Sequence, residues 1–391
     1  MPRESFAIGN VRVRAGSAKE VELPITRLVT GGDVSLPVRV LHGREPGPTV
    51  WVNAAIHGDE VNGVEVIREL VASLSPKTLR GTLVAVPVVN VLGFMTGDRY
   101  LPDRRDLNRS FPGSARGSLA SRIAHLFMTE VVRKCDVGID LHTAADRRTN
   151  LPQIRADLDD PRTRELAEAF GAPVMLHARL RDGSLRQAAR DAGATVLLYE
   201  AGEALRFEDD PIRTGVIGTR RVLALLGMID REPADHPEDA AAADTTASNG
   251  SSSGSSGLEG ADGEGPGRSG EAATEAGGGA NGTTPTELEE VVEEALRSGV
   301  PQCGPATPVP SRSSGWVRAR GTGILLLEVK LGESVTTGQR LGGLSDTFGR
   351  RVRLVHADRD GIVIGMTRAP LVNAGDALIH IATPESVEVR P

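Results

Sequence analysis

The fold is decided by residues 48–60, which read PTVWVNAAIHGDE. The apolar first part predicts a buried strand, and His57 and Glu60 follow it in a polar turn. The apolar residues after the turn recur at helical spacing: Val64, Ile67, Val71 and Leu74. A strand, a turn and a helix in this order are typical of an α/β domain.

Two later segments repeat the pattern of an apolar run that ends in a polar residue. Residues 136–141 form a predicted strand that is followed by His142, and residues 194–199 form another that is followed by Glu200. In an open α/β sheet, ligands gather outside the carboxyl ends of the strands. We therefore expect these side chains to approach His57 and Glu60.

These residue types suit a metal-dependent hydrolase. Two histidines and one carboxylate leave a zinc ion an open coordination position, and a further carboxylate can act as base. Other interpretations stay open, because an H-x-x-E spacing is common by chance. Asp59 or Glu60 could cap the helix near Gly63, and His142 could form local hydrogen bonds. Asp140 could support His142 or form a turn.

An arginine-rich loop is the second candidate feature. Residues 99–113 read RYLPDRRDLNRSFPG, with the proline and aspartate content of a loop. Arginine binds carboxylates in bidentate geometry and stabilises a developing oxyanion. The alternative is a solvated basic loop with surface ion pairs.

The chain divides into segments of different composition. Residues 1–230 alternate strand and helix patterns and predict an α/β domain. Residues 231–284 are rich in Gly, Ser, Ala and acidic residues, which predicts a disordered linker. Residues 285–299 carry a helix-start signal and one apolar stripe, so we expect a docking helix.

The C-terminal segment, residues 313–391, is predicted to be a small all-β barrel or sandwich. Its short apolar runs are separated by glycines, and it resembles the biotinyl/lipoyl carrier fold. A carrier presents a modifiable lysine at a hairpin tip, whereas residues 346–349 contain none and Lys330 lies at the end of a strand. We expect a structural cap.

Overall composition excludes several classes of protein. A net charge of -7 and the lack of a basic run argue against nucleic-acid binding. No apolar run has the length of a membrane span, and no signal segment is evident, so we expect a cytoplasmic protein. Two cysteines cannot form a disulfide framework. Whether the chain forms a homo-oligomer is left open.

Four motifs together resemble the succinylglutamate desuccinylase/aspartoacylase family, which is related to the zinc carboxypeptidases. They are His57-Gly58-Asp59-Glu60, Asp106-Leu107-Asn108-Arg109, Asp140-Leu141-His142-Thr143 and Tyr199-Glu200-Ala201-Gly202-Glu203. The resemblance covers residues 1–230 and the C-terminal β domain. It implies a mixed sheet flanked by helices, as in the zinc carboxypeptidases.

The resemblance also implies roles for single residues. His57, Glu60 and His142 would be the zinc ligands, and Glu200 the general base. Asn108 and Arg109 would bind the carboxylate of a small N-acyl amino acid, the expected substrate. Arg99 best matches the arginine that polarises the scissile carbonyl, with Arg104 and Arg105 as alternatives.

The expected reaction is hydrolysis of an amide by a zinc-activated water, with Glu200 moving the proton. One alternative is a metallocarboxypeptidase that acts on peptides at the same site. Another is a non-catalytic metal-binding scaffold, which the presence of every ligand and of Glu200 disfavours.

Overall fold

The computed structural model of the chain describes residues 3–145, 147–231, 308–347, 349 and 351–385. The predicted linker, from residue 232, and the predicted docking helix lie outside these residues. The α-helices are α1 (Asn62–Ala72), α2 (Val91–Thr96), α3 (Leu119–Glu130), α4 (Pro161–Phe170), α5 (Leu185–Asp191) and α6 (Asp209–Leu225). The strands are β1 (Phe6–Ile8), β2 (Val11–Val13), β3 (Ser17–Arg27), β4 (Asp33–His42), β5 (Glu45–Ala54), β6 (Arg80–Val86), β7 (Val137–Ala144), β8 (Arg148–Ala156), β9 (Val174–His177), β10 (Thr195–Glu203), β11 (Val309–Arg318), β12 (Gly323–Leu327), β13 (Ser334–Val335), β14 (Arg340–Ser345), β15 (Arg351–His356), β16 (Gly361–Thr367), β17 (Leu371–Val372) and β18 (Ala377–Pro384).

A mixed sheet organises the molecule, in the order β3-β4-β6-β5-β7-β10-β8-β9-β11-β18-β16-β13. The neighbours β6, β5, β7 and β10 run parallel, whereas β4 and β8 are antiparallel to their partners in this group. The predicted α/β class with a mixed sheet flanked by helices is therefore confirmed.

Strand β5 is buried on both faces, as its continuous apolar sequence predicts. Val50 and Val52 face a core that includes residues of α1, α4 and α6. Trp51 faces a second core formed with α3 and α5. Side chains alternate across a strand, so this one segment anchors both helical layers. Gly138 on β7 admits the Trp51 ring, because a Cβ there would lie 2.0 Å from Trp51 Cζ2.

The C-terminal β region has its own core and also extends the large sheet. Strands β15, β14, β12 and β17 form a separate antiparallel sheet. Strand β11 pairs with β9, and β16 pairs with β8. The described residues before the predicted linker and those from 308 onward belong to one compact unit. Among the described residues, no helix is long and apolar enough to cross a membrane.

The strands at the site differ in two ways from the sequence prediction. His142 and Glu200 lie inside β7 and β10, because both strands continue past the polar residue. Strand β8 was not predicted, although it lies beside β10 and contributes to the site.

Candidate metal centre and active site

His57, Glu60 and His142 form a buried cluster at the centre of the sheet. Their potential ligand atoms all lie within 4.8 Å of one another. Glu60 joins the two rings, with Oε1 2.8 Å from Nδ1 of His57 and Oε2 2.7 Å from Nδ1 of His142. The sequence prediction that these three side chains meet is what the structure shows.

The turn that carries His57 and Glu60 is held by close backbone packing. Ala55 adopts a left-handed φ of 48° where the chain leaves β5. A Cβ on Gly58 would lie 2.1 Å from the carbonyl carbon of Gly93, so the turn rests directly on α2. Helix α1 begins after Val61, which makes no side-chain capping bond. Glu60 thus serves the cluster and does not cap the helix.

Charges in and around the cluster favour a bound cation. Burial alone would lower the pKa of His57 and His142, but neighbouring carboxylates outweigh burial and raise both. Burial alone would raise the pKa of Glu60, yet the two histidines hold it well below its usual value. Such a cluster stabilises positive charge, which a divalent metal ion supplies when the imidazoles are neutral.

A chain of buried hydrogen bonds orients His142 from behind. Nε2 of His142 lies 3.0 Å from Oδ2 of Asp140. Asn53 Nδ2 donates to Oδ1 of Asp140 at 2.6 Å, and Trp51 Nε1 donates to Oδ1 of Asn53 at 2.8 Å. Asp140 therefore supports His142, and the alternative of a turn former is wrong. A carboxylate on the far ring nitrogen is the usual support of a metal-binding histidine.

Asp106 supports His57 in the same way, and sequence reasoning assigned it no role. Its Oδ1 lies 3.1 Å from Nε2 of His57 and also accepts the backbone N–H of Asn108. Burial raises the pKa of Asp106, but His57 and nearby arginines lower it to about 2. The sequence signal that could have indicated this role is an aspartate within a loop rich in arginine.

The three arginine alternatives occupy different environments. Arg99 Nη1 donates to Oε1 of Glu60 at 2.8 Å, and its side chain is 24% exposed. Arg104 is exposed on a left-handed backbone, and Arg105 faces Asp103 at 3.9 Å. Of these arginines, the structure brings Arg99 to the cluster.

Asn108 and Arg109 lie in a short 3-10 turn beside the cluster, Leu107–Arg109. Oδ1 of Asn108 accepts the backbone N–H of Leu185 at 2.9 Å and ties the turn to the start of α5. Arg109 is exposed, and its Nη1 donates to the carbonyl of Asn108. The guanidinium is thus accessible to a ligand from solvent.

Glu200 lies directly opposite His142 in the register of β10 and β7. Residues in register on neighbouring strands project on the same face of the sheet, so Glu200 shares the face that carries His142. Its Oε2 is 3.2 Å from Nη1 of Arg155. Arg155 escaped sequence reasoning because β8 was not predicted.

The cluster fits a metal ion by its donor set and by its supports. Two imidazole nitrogens and a carboxylate are a ligand set that zinc accepts, and both far ring nitrogens rest on carboxylates. A second acidic group among the described residues, Asp157, Asp159 and His177, is less enclosed. There Arg312 already pairs with Asp159.

The chain is similar in sequence to known proteins. Residues 46–226 match the model of the succinylglutamate desuccinylase/aspartoacylase catalytic domain. The chain is 27% identical over 371 residues to N-alpha-acetyl-L-2,4-diaminobutyric acid deacetylase of Halomonas elongata, covering 93% of this chain and 90% of that protein. It is 30% identical over 199 residues to succinylglutamate desuccinylase of Burkholderia orbicola, covering 46% of this chain and 56% of that relative.

Solved structures share the fold over almost the full length. The succinylglutamate desuccinylase/aspartoacylase from Rhodobacter sphaeroides gives a TM-score of 0.69 at 24% identity, with 94% of this chain and 96% of that chain covered. The product-bound ectoine utilization protein EutE (DoeB) from Ruegeria pomeroyi gives 0.70 at 20% identity, with 98% of each chain covered. At these identities the likeness establishes the fold.

Proposed function

This chain belongs to the succinylglutamate desuccinylase/aspartoacylase family, and we propose that it hydrolyses the amide bond of a small N-acyl amino acid with zinc as its metal. The observation that carries the proposal is the buried cluster of His57, Glu60 and His142, with Glu200 opposite His142 on the next strand. This arrangement joins a set of metal ligands to a carboxylate that can serve as base.

In the proposed mechanism, His57, Glu60 and His142 would hold the zinc ion. When bound, zinc would lower the pKa of the attacking water toward neutrality and polarise the scissile carbonyl. Glu200 takes the proton of the attacking water and returns it to the leaving amine. Arg99 donates hydrogen bonds toward the carbonyl oxygen as negative charge develops there.

Substrate binding is assigned to the turn beside the cluster. Arg109 is exposed, so its guanidinium can bind a carboxylate from solvent in bidentate geometry. Asn108 positions this turn by accepting the backbone N–H of Leu185. The relatives, by name an N-acetyl-diaminobutyrate deacetylase and a succinylglutamate desuccinylase, support an N-acylated amino acid as the substrate class.

The test is a screen of the purified, zinc-loaded protein against N-acetyl, N-succinyl and N-formyl amino acids, with peptides alongside. Release of a free amino acid from one acyl series, and no release from peptides, is the expected result. Faster release of a C-terminal residue from peptides would instead support a metallocarboxypeptidase. If protein with one zinc bound hydrolyses none of these amides, the remaining alternative is a non-catalytic metal-binding scaffold.

A further inference from the structure

The C-terminal β region reaches the catalytic strands by closing a ring. Strands β8, β9, β11, β18 and β16 pair in succession, and β16 returns to pair with β8. Strand β8 is therefore held by β10 on one edge and by β9 and β16 on the other. The strand next to Glu200 is thus fixed by both parts of the molecule.

Arg155 projects from β8 toward Glu200. Gln153 lies directly opposite Glu200, and Arg155 is two residues further along the strand, on the same face. Nη1 of Arg155 lies 3.2 Å from Oε2 of Glu200, with side chains 28% and 13% exposed. Water therefore reaches this ion pair only in part, and its attraction is screened less than that of a surface pair.

Among the described residues, Glu200 is the carboxylate that lies within ion-pair distance of the Arg155 guanidinium. Nε of Arg155 is buried and has no hydrogen-bond partner among the described residues. The backbone beneath it is firmly held, because Gln153 Nε2 donates to the carbonyl of Ile364 on β16 at 3.1 Å. The closed ring of strands thus fixes the position of the Arg155 backbone, and the Arg155 side chain contacts the carboxylate of Glu200.

We propose that Arg155 is the positioning residue of the base Glu200, and that the C-terminal β region acts on catalysis by fixing β8. This inference rests on the proposed function. The ion pair engages Oε2 of Glu200 and fixes the rotation of the carboxylate, so that the other oxygen faces the attacking water. Misplacement of a reacting group by about 1 Å can lower a rate about 100-fold, even when substrate binding is unchanged.

The test uses Arg155→Met and Arg155→Lys in the full chain. With Arg155→Met we expect kcat to fall about 100-fold, while KM stays within about threefold and the zinc content is unchanged. Added guanidinium chloride at millimolar concentration should restore part of kcat. Arg155→Lys keeps the charge but loses the planar fork, so an intermediate loss of kcat, about tenfold, is expected.

Arg312→Met is the matched control, because Arg312 also joins the C-terminal region to the catalytic domain, through Asp159, away from Glu200. It should keep wild-type kcat and show no response to guanidinium. The inference is overturned if folded Arg155→Met or Arg155→Lys keeps wild-type kcat, if only KM changes, or if guanidinium restores nothing. A wild-type protein that cleaves no N-acyl amino acid would instead refute the proposed function.

Discussion

Asp140 and His142 lie two residues apart on one strand, and Oδ2 of Asp140 lies 3.0 Å from Nε2 of His142. The bond leaves Nδ1 of the ring facing Glu60 at the cluster. Because Asn53 holds the other oxygen of Asp140, the ring is fixed by two neighbouring strands. The candidate metal site is therefore built into the sheet itself.

Asp140→Asn should weaken zinc binding by about 10–100-fold, because the histidine loses the carboxylate that orients it and increases its basicity. Competition with a chelating dye measures the affinity. Asp136→Asn is the control, since Asp136 accepts the backbone N–H of Thr49 at the start of the same strand. Equal zinc affinity in the two variants would contradict a supporting role for Asp140.

Arg99 can be separated from its two alternatives by substitution. Arg99→Lys should lower kcat about 100-fold or more, since Arg99 is the arginine of this group that reaches Glu60. Arg104→Lys and Arg105→Lys should stay within about twofold of wild type, because both side chains are exposed. Steady-state kinetics on the best substrate decides the matter. A large loss of kcat in the Arg104→Lys or Arg105→Lys variant would assign the polarisation of the carbonyl to that arginine instead of Arg99.

Much of the site could be predicted from sequence because strand ends concentrate chemistry. The segments that carry His57, His142 and Glu200 are continuous apolar runs, which are typical of buried parallel strands. Periodicity placed the elements but not their exact ends, since β7 and β10 continue through the polar residues. Pairing with neighbouring strands, which sequence spacing does not show, extends them.

Strand β8 escaped prediction for a physical reason. Its sequence, RTNLPQIRA, contains a proline and alternates irregularly, and a bulge in its pairing with β10 accommodates this. Arg155 was missed with it. Asp106 was missed although its motif was recognised, because its bond to His57 joins residues 49 positions apart.

Acid should destabilise the fold through His380. Burial first, and then Arg155, Arg359 and Arg148, lower its pKa from 6.5 to about 3. The unfolded chain therefore takes up a proton as the pH falls below 6.5, whereas the folded chain does so only near pH 3. The free energy of unfolding should fall across this window by up to about 1.4 kcal/mol per pH unit.

His380→Phe tests this, because it keeps a ring against Trp316, whose centroid lies 4.7 Å from that of His380. The free energy of unfolding, measured with urea at several pH values, should depend less steeply on pH in the variant between pH 6.5 and about 4.5. This range lies above that in which the carboxylates titrate. The same pH dependence of the free energy of unfolding in the two proteins would show that His380 does not titrate in this way.

Gly58→Ala should disrupt the turn that carries His57 and Glu60. The added Cβ would lie 2.1 Å from backbone of α2, so the turn or the helix must shift. We expect a stability loss of about 2 kcal/mol or more, together with weaker zinc binding. Gly32→Ala is the control, because its Cβ meets only Leu28 Cδ1, at 3.9 Å. Thermal unfolding and zinc content are measured for both variants. A Gly58→Ala protein with the stability and zinc content of the wild type would rule out the tight contact.

The most direct measurement of the central claim is hydrolysis by the zinc-loaded Glu200→Gln variant, with zinc content determined on the same sample. Glu200 is assigned to proton transfer and not to metal binding, so the variant should hold as much zinc as wild type and lose at least about 1,000-fold in kcat. Glu168→Gln, on an exposed face of α4, should match wild type in both. Hydrolysis by Glu200→Gln at the wild-type rate, with zinc bound, would contradict the account.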